Sequence, residues 1–390
     1  MTILGFNPQH HGSVCLLQDG ELKYFIQEER LTRVKYDSIP FKTFIDTIEK
    51  FNLKDIHLAW APPSFTYKTN DLEDTSYFVE LASKLLPKNS TWEYTDYREE
   101  HHLAHVAHTF YNSGFKKSIG VIIDGLGSVL FDKKDHRFLG QETETMYVCS
   151  YPNNFKIIYK NLFNQYLKLD YPPYQITNNV TLSRAYEAVT MHLGFLRNEA
   201  GKVMGLSSYG KSNFPSFFSG TNVNSNFMYV DSTKPNIYSE LKELPEVFID
   251  TEKNPQLIPP SSREWHKDET KVTDLEKDLA WQIQEETQQL VGNYIEEALQ
   301  TTGLNQVCCG GGYFLNCVTN YYLKKRFPNV EFYFEPIAND AGTAIGAAKL
   351  VWHSKTQDTT IRPFKSLYLG KGYSKDQLID GIKKFNTNDI

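Results

Sequence analysis

Four histidines lie within eight residues of this chain, in the segment His101-His102-Leu103-Ala104-His105-Val106-Ala107-His108. On a helix, residues four positions apart lie on the same face, so His101 and His105 direct their imidazoles to the same side. Two imidazoles at this spacing form a ready pair of ligands for a transition metal. A polar helix whose histidines bond to water or to the backbone shows the same spacing, so the pattern alone leaves both interpretations open.

Two aspartates are candidates to complete such a site. Asp124 follows a predicted apolar strand that begins at Ile119, and it precedes the turn Gly125-Leu126-Gly127. Ligand sites in α/β sheets gather at the carboxyl ends of strands, where glycines let a phosphate approach the backbone. Asp340 precedes a run of small residues. An ordinary tight turn at Asp124 and a helix N-cap at Asp340 are the alternative interpretations.

Two further positions have the residue types for binding or proton transfer. The segment Gly310-Gly311-Gly312 lies between a predicted strand and a predicted helix, where phosphates and riboses can dock, although it matches neither common nucleotide motif. His11 lies in the loop after the first strand, and a histidine there can take a proton from a hydroxyl. A plain turn and an exposed loop histidine are the competing explanations. Cys308 and Cys309 lie in an apolar strand and are predicted to be buried.

Composition narrows the class of protein. The chain has 390 residues, of which 40% are hydrophobic and 14% aromatic, so two or three domains with well-formed cores are expected. A net charge of −6 offers no extended basic surface for nucleic acid, and no apolar run reaches the roughly 18 residues of a membrane span. Five cysteines without a C-x-x-C pair and an N-terminus without a signal-peptide pattern predict a cytoplasmic protein.

The periodicity near the N-terminus predicts three strands, a helix and a further strand. The strands are expected at 2–6, 13–18 and 22–27, and Asp19-Gly20 is a typical hairpin turn between the second and the third. A helix over 40–51 and a strand over 56–60 follow. This order is typical of a mixed α/β sheet of the ribonuclease-H type and differs from a plain parallel Rossmann unit.

The same order of elements restarts after the histidine segment. Gly-Ser-Val occurs at 12–14 and again at 127–129, each time in a strand–loop–strand context, which indicates an internal duplication. The regions of about 132–180 and 211–272 are polar and rich in Pro, Asn and Ser. We expect them to be long insertions in the second copy and to form the acceptor pocket.

Taken in order, seven motifs of this chain resemble the O-carbamoyltransferase family of the nodulation protein U and tobramycin carbamoyltransferase type. The resemblance covers about residues 2–350. It rests on Ile3-Leu4-Gly5 with His11, Gln27-Glu28-Glu29-Arg30-Leu31-Thr32-Arg33, His101-His102-Leu103-Ala104-His105, Val121-Ile122-Ile123-Asp124-Gly125, Gly201-Lys202-Val203-Met204-Gly205-Leu206, Gly311-Gly312 with Leu315-Asn316-Cys317, and Asp340-Ala341-Gly342. The family commonly has Asp after its loop histidine, where this chain has Gly12.

The resemblance implies a duplicated ribonuclease-H-like fold with two lobes, which belongs to the actin-like ATPase and sugar-kinase superfamily. The first lobe would comprise residues 1–115 and the second residues 116–362 with its insertions. Residues 363–390 would form only the start of a C-terminal domain. In this family, that domain is expected to join carbamoyl phosphate and ATP into carbamoyl-adenylate.

The resemblance also implies a reaction and its residues. The carbamoyl group would pass from carbamoyl-adenylate to an acceptor hydroxyl, with His11 matching the catalytic histidine. The implied metal is iron(II), and its ligands would be His101, His105, Asp124 and Asp340. The implied nucleotide-binding residues are Gly125, Gly127, Gly201, Gly311, Gly312 and Asn316.

The implied partners are ATP, carbamoyl phosphate and a small or sugar-like acceptor, and no association with a membrane is expected. A nucleotide acceptor also remains open.

Two alternative functions remain. Transfer of a threonylcarbamoyl group to tRNA uses a similar H-x-x-x-H segment, although the acidic balance weighs against nucleic acid. A nucleotide-binding module without activity is the other. A metalloprotease is disfavoured because His102 stands where H-E-x-x-H requires Glu.

Overall fold

The first sheet is formed by β1 (Thr2–Asn7), β2 (Ser13–Gln18), β3 (Glu21–Gln27), β4 (Ile56–Trp60) and β5 (Trp92–Asp96). Its order in space is β3-β2-β1-β4-β5. The first three strands are antiparallel, while β1, β4 and β5 run parallel. The predicted hairpin turn joins β2 to β3, and Asp19 and Gly20 have φ values of 49° and 79°, the left-handed values that this turn requires.

The second sheet is formed around β6 (Lys117–Ile123), β7 (Val129–Phe131), β8 (Phe138–Ser150), β9 (Asn154–Phe163), β10 (Leu169–Tyr171), β11 (Tyr174–Thr177), β14 (Gln306–Gly310) and β15 (Glu331–Phe334). Its central order β9-β8-β6-β14-β15 repeats that of the first sheet, with the first three strands antiparallel and the last two parallel. The strands β12 (Val247–Thr251) and β13 (Asn254–Ile258) pair separately. The duplicated ribonuclease-H-like fold is therefore confirmed.

The region of about 132–180, predicted as an insertion, instead supplies β8 and β9, the second and third strands of this sheet. The second Gly-Ser-Val motif leads into β7, which is short and pairs with β8. In the repeat, β8 and not β7 corresponds to β2 of the first sheet. The sequence of β8 reads as polar because Glu142, Thr143, Glu144 and Thr145 are all buried polar residues. Their bonding partners come from distant parts of the chain, so local composition concealed the strand.

The helices of the first lobe are α1 (Glu29–Thr32), α2 (Phe41–Lys50) and α3 (Ser76–Leu85), and α4 (His101–Ser113) follows β5. The remaining helices are α5 (Leu182–His192), α6 (Ala200–Ser207), α7 (Asp274–Thr302), α8 (Cys317–Arg326), α9 (Thr343–Thr356) and α10 (Lys375–Lys384). The long helix α7 begins with a capping box between Thr273 and Glu276 and ends at Gly303, which has a left-handed φ of 66°.

This computed structural model describes residues 1–62, 76–125, 127–132, 134–164, 169–171, 173–177, 181–212, 247–251, 254–258, 272–370 and 372–384. Most of the predicted insertion at 211–272 lies outside these residues. Within the ranges just given, no helix combines the length and the apolar composition needed to cross a membrane.

The helices α4 and α9 cross between the two lobes. Although α4 follows β5 of the first sheet, it packs on β6 and β14 of the second; α9 follows β15 of the second sheet and packs on β1, β2 and β4 of the first. The predicted lobe of 116–362 thus contains a helix that covers the first sheet. A Cβ atom at Gly346 of α9 would lie 1.9 Å from the carbonyl oxygen of Ala104 in α4, so glycine permits this backbone contact.

We expect Gly346→Ala to lower the stability of the protein by about 3 kcal/mol, because the added methyl group forces the two helices apart. The melting temperature measures the effect. Gly205→Ala is the matched control, since Gly205 also lies in a helix but has no atom within 4 Å of a Cβ position. The control should be neutral or stabilising by up to about 1 kcal/mol. Equal melting temperatures for the two variants would contradict the proposed role of the contact.

Candidate functional site

The four predicted metal ligands converge at the start of α4. One ligand atom from each of His101, His105, Asp124 and Asp340 lies within 4.8 Å of all the others. The Nε2 atoms of the two histidines are 3.1 Å apart. Asp340 Oδ1 is 3.5 Å from His105 Nε2, and Asp124 Oδ2 is 3.7 Å from His101 Nε2. Three of these side chains are buried and Asp340 is nearly so.

The backbone fixes the orientation of the first imidazole. His101 Nδ1 lies 2.8 Å from the carbonyl oxygen of Ala61, which can only accept a hydrogen bond, so Nδ1 carries a proton. In the neutral imidazole, Nε2 is then unprotonated, and its lone pair can bind a metal on the side that faces His105 and the two carboxylates. Two imidazole nitrogens and two carboxylate oxygens within this distance fit a divalent transition metal.

The two aspartates are held by different elements. Asp124 ends β6, and its Oδ1 accepts a hydrogen bond of 3.0 Å from the backbone amide of Gly312. Asp340 begins a short 3₁₀ turn, Asp340–Gly342, directly before α9. Gly342 occupies the N-cap position of α9, so Asp340 does not cap that helix. The alternative interpretation of Asp340 as a helix cap therefore does not describe the structure.

The charges of these groups are mutually stabilising. Burial acts to lower the pKa of His101, but the adjacent carboxylate of Asp124 and the charge of Asp340 outweigh burial and raise the pKa to about 9. Burial acts to raise the pKa of Asp124, but the adjacent imidazole of His101 and the charge of His105 hold it well below its usual range. The cluster is thus electrostatically suited to a positive charge at its centre.

The other two histidines of α4 lie outside the cluster. His102 Nδ1 is 2.7 Å from Thr145 Oγ1, and burial lowers the pKa of His102 to about 3. His108 Nε2 is 3.4 Å from Glu335 Oε1 in another buried pair. Both imidazoles are buried: His102 lies beside β8 of the second sheet, and His108 lies beside Glu335, which follows β15.

A cavity of about 750 Å³ opens from the aspartates toward both lobes. Five predicted site residues, apart from the aspartates, line it: His11, Gly125, Gly201, Gly312 and Asn316. The lining also includes Met204 and Leu315 from the motifs named above. The lining residues that the sequence did not single out are Gln9, His10, Tyr36, Ser183, Tyr186, Glu187, Arg197, Asn198, Ala200, Tyr313 and Asn339. No described residue of the predicted insertion at 132–180 lines this cavity.

Two predicted nucleotide-binding glycines have packing roles instead. A Cβ atom at Gly127 would lie 2.7 Å from His102 Nε2, so this glycine lets its loop approach α4. Gly311 has a φ of 90°, and a Cβ there would lie 2.3 Å from the carbonyl oxygen of Ile123. Neither residue lines the cavity. By contrast, Cβ positions at Gly125 and Gly201 meet no atom within 4 Å, so their backbones are open to a ligand.

His11 lines the same cavity as Asp124 and Asp340. Its ring contacts the rings of His10 and Tyr36 edge-on, with centroid distances of 3.9 and 5.4 Å. Burial lowers the pKa of His11 from its ordinary value, and the charge of His10 acts in the same direction. A Cβ at Gly12 would lie 2.4 Å from the carbonyl oxygen of Ser38, so the neighbouring loop leaves no room for an aspartate at this position.

The charged segment after β3 positions part of the cavity wall. Glu29 Oε2 accepts a hydrogen bond of 3.0 Å from the amide of Tyr36, whose ring contacts His11. Glu28 is buried, and its carboxylate accepts hydrogen bonds of 2.9 Å from the backbone amides of Lys42 and Thr43 in the first turn of α2. The sequence analysis identified the motif that contains these two glutamates, but it did not identify Tyr36 as a residue of the cavity wall.

Asn316 has a structural role as well as a place in the cavity wall. Its Oδ1 caps α8 by accepting a hydrogen bond of 3.0 Å from the amide of Thr319. Its Nδ2 donates to Gln284 Oε1 at 2.8 Å. Both polar atoms of Asn316 are therefore held in place.

Comparison with known proteins agrees with the resemblance seen in the motifs. A family described as "Carbamoyltransferase N-terminus" matches residues 64–349. Nodulation protein NolNO of Sinorhizobium fredii is 21% identical over 392 residues, which cover 95% of this chain and 50% of that protein. An uncharacterized Synechocystis protein, sll1178, is 26% identical over 428 residues, which cover 98% of this chain and 62% of its own length. The chain thus spans only 50–62% of the length of these relatives.

A solved structure agrees with the fold. The crystal structure of T. kodakarensis HypF matches with a TM-score of 0.51 and 12% identity, covering 93% of this chain and 49% of HypF. At this identity the likeness concerns the fold alone. Because the family match extends over most of the sequence, the chain belongs to the carbamoyltransferase N-terminus family.

Proposed function

We propose that this chain transfers a carbamoyl group from carbamoyl-adenylate to an acceptor hydroxyl in the cavity between its lobes. The observation that carries the proposal is the four-ligand cluster, whose two aspartates line the same cavity as His11, in a member of a carbamoyltransferase family. The nodulation protein among the relatives is consistent with a biosynthetic role.

His101, His105, Asp124 and Asp340 would hold the metal, and iron(II) agrees with a mixed imidazole and carboxylate set. The bound ion would supply Lewis acidity next to the cavity. The protein itself orients the donors: the carbonyl of Ala61 sets the tautomer of His101, and the amide of Gly312 fixes the carboxylate of Asp124. These contacts hold the donors in place before a ligand arrives.

His11 would act as the general base. It takes the proton from the acceptor hydroxyl as that oxygen forms a bond to the carbamoyl carbon. The bond between this carbon and the adenylate phosphate oxygen breaks, and AMP leaves with the electron pair. A lowered pKa keeps the imidazole neutral, and therefore able to accept the proton, at pH 7.

The nucleotide would bind along the second-lobe side of the cavity. Gly125, Gly201 and Gly312 present backbone there, and Asn316 lies at the same wall. ATP and carbamoyl phosphate are the proposed precursors, and a small or sugar-like molecule is the proposed acceptor. Formation of carbamoyl-adenylate from these two precursors is the step that precedes transfer. A cytoplasmic location remains a prediction.

Metal content tests the proposed cluster. Purified wild-type protein should contain about one transition metal per chain by elemental mass spectrometry. In His105→Ala and Asp124→Asn, occupancy should fall below about a tenth, because a donor or its charge is lost; the asparagine oxygen can still accept the Gly312 hydrogen bond. His136→Asn, an exposed histidine in a turn, is the control and should keep its metal. Retention of metal by both site variants would reject the assignment.

Carbamoyl transfer tests the reaction. In one reaction the protein is supplied with synthetic carbamoyl-adenylate, and in another with ATP and carbamoyl phosphate. Candidate acceptors include sugars, oligosaccharides, aminoglycosides and nucleosides, and a mass gain of one carbamoyl group with release of AMP is the expected result. Transfer of a threonylcarbamoyl group to tRNA instead would favour the tRNA-modifying alternative. Nucleotide binding without any transfer would favour the module without activity.

The pH profile tests the role of His11. Its neutral form accepts the proton, so the transfer rate should fall only as the pH drops through the lowered pKa of His11. The acidic midpoint should thus lie below the ordinary histidine value of 6.5. His11→Ala should reduce kcat by about 10²- to 10⁴-fold without loss of bound metal. An unchanged acidic limb in this variant would exclude His11 as the base.

A further inference from the structure

The repeated Gly-Ser-Val motif places one buried serine in each copy of the fold. Ser13 begins β2, and Ser128 directly precedes β7; both residues have no exposed surface. Each serine follows the polar loop after the first strand of its sheet. A buried hydroxyl is costly unless it is hydrogen-bonded, so the partners of these two serines indicate why they are present.

Ser13 is bonded to the segment that carries a metal ligand of the other lobe. Its Oγ donates a hydrogen bond of 2.8 Å to the carbonyl oxygen of Ala341, the residue directly after Asp340. Two residues further along β2, Cys15 Sγ donates to the carbonyl oxygen of Ala344 at 3.2 Å. The start of β2 is thus connected to the turn that precedes α9.

Ser128 makes the reciprocal connection. Its Oγ donates to the carbonyl oxygen of Arg98 at 2.6 Å and accepts from the amide of His101 at 3.4 Å. The amide of His101 is one of the first amides of α4, which have no acceptor within the helix. Ser128 of the second lobe therefore holds the start of the helix that follows the first sheet.

Ser128 is itself anchored in the second sheet. Its backbone amide donates to Glu142 Oε2 at 3.0 Å, and the other oxygen of Glu142 is paired with Lys160. Glu142 and Lys160 are both buried. Breaking one member of such a pair is strongly destabilising, so the loop that carries Asp124 and Ser128 is tied firmly to β8 and β9.

We propose that Ser13 and Ser128 are positioning residues that set the distances between the metal ligands of the two lobes. Each lobe contributes one serine, and each serine bonds to the ligand-bearing segment that follows the other lobe's sheet. Ser13 places Asp340, and Ser128 places His101 relative to Asp124. The inference rests on the metal site of the proposed function and extends it to residues that touch neither the metal nor the substrate.

Cobalt binding tests the inference without an activity assay. Metal-free wild type, Ser13→Ala, Ser128→Ala and the double variant are titrated with Co²⁺ and followed by visible absorption. Each single variant should bind Co²⁺ about 10- to 100-fold more weakly, as is usual when an outer partner of a ligand is removed. Hydrogen exchange should accelerate at 98–104 in Ser128→Ala and at 340–346 in Ser13→Ala.

Ser118→Ala is the matched control. Ser118 is equally buried; it lies near the start of β6, at the other end of the strand from Asp124, and its hydroxyl is 3.3 Å from Cys308 Sγ. It should lose stability like the other variants but keep its Kd for Co²⁺ within twofold. Wild-type affinity in both Ser13→Ala and Ser128→Ala would overturn the inference and leave the metal site standing. A wild-type protein that binds neither Co²⁺ nor Fe²⁺ would instead reject the metal site, and the inference with it.

Discussion

The backbone contact between α4 and α9 determines where the site can form. Glycine at 346 lets α9 lie against the carbonyl of Ala104, one residue before His105. Both helices begin at the site, since α4 carries two of the proposed ligands and α9 follows directly after Asp340. A larger separation between the helices would move Asp340 away from both imidazoles. The distances within the cluster are therefore a consequence of helix packing.

The crossed arrangement makes each lobe incomplete without the other. Each of the two sheets is covered on its inner face by the helix that follows the other sheet. A buried polar chain links the same elements: Lys349 of α9 donates to Asn112 of α4 at 2.6 Å, and Asn112 donates to Glu335 at 3.0 Å. Burial lowers the pKa of Lys349 to about 8 and raises that of Glu335 to about 7, because burying either charge costs free energy. Such a network favours one geometry of the interface over alternatives of similar packing.

The sequence was informative about where side chains lie when a local pattern fixes their position, although it left their role open. Helical periodicity placed His101 and His105 on one face, and the apolar strand before Asp124 placed this carboxylate at a strand end. The strand β8 was missed because Glu142 and Glu144 read as polar. In the fold, Glu142 pairs with Lys160, 18 residues further along the chain, and Glu144 accepts a hydrogen bond from Asn161, 17 residues further along. The crossing of α9 to the first sheet was missed for a related reason. Small residues predict a close approach to some backbone, but they do not say which backbone.

The duplication would let a symmetrical scaffold support the asymmetrical reaction that we propose. In each copy, a polar loop follows the first strand and ends in Gly-Ser-Val, and the serine has the same kind of partner in both. The residues that precede the serines differ: the first loop presents His11 to the cavity, and the second presents Asp124. The proposed proton transfer and metal binding require different side chains, a histidine and a carboxylate, at one cavity. A repeated loop can supply both a histidine and a carboxylate. The two copies share the backbone geometry and the serine, while the chemistry depends on one side chain that differs between them.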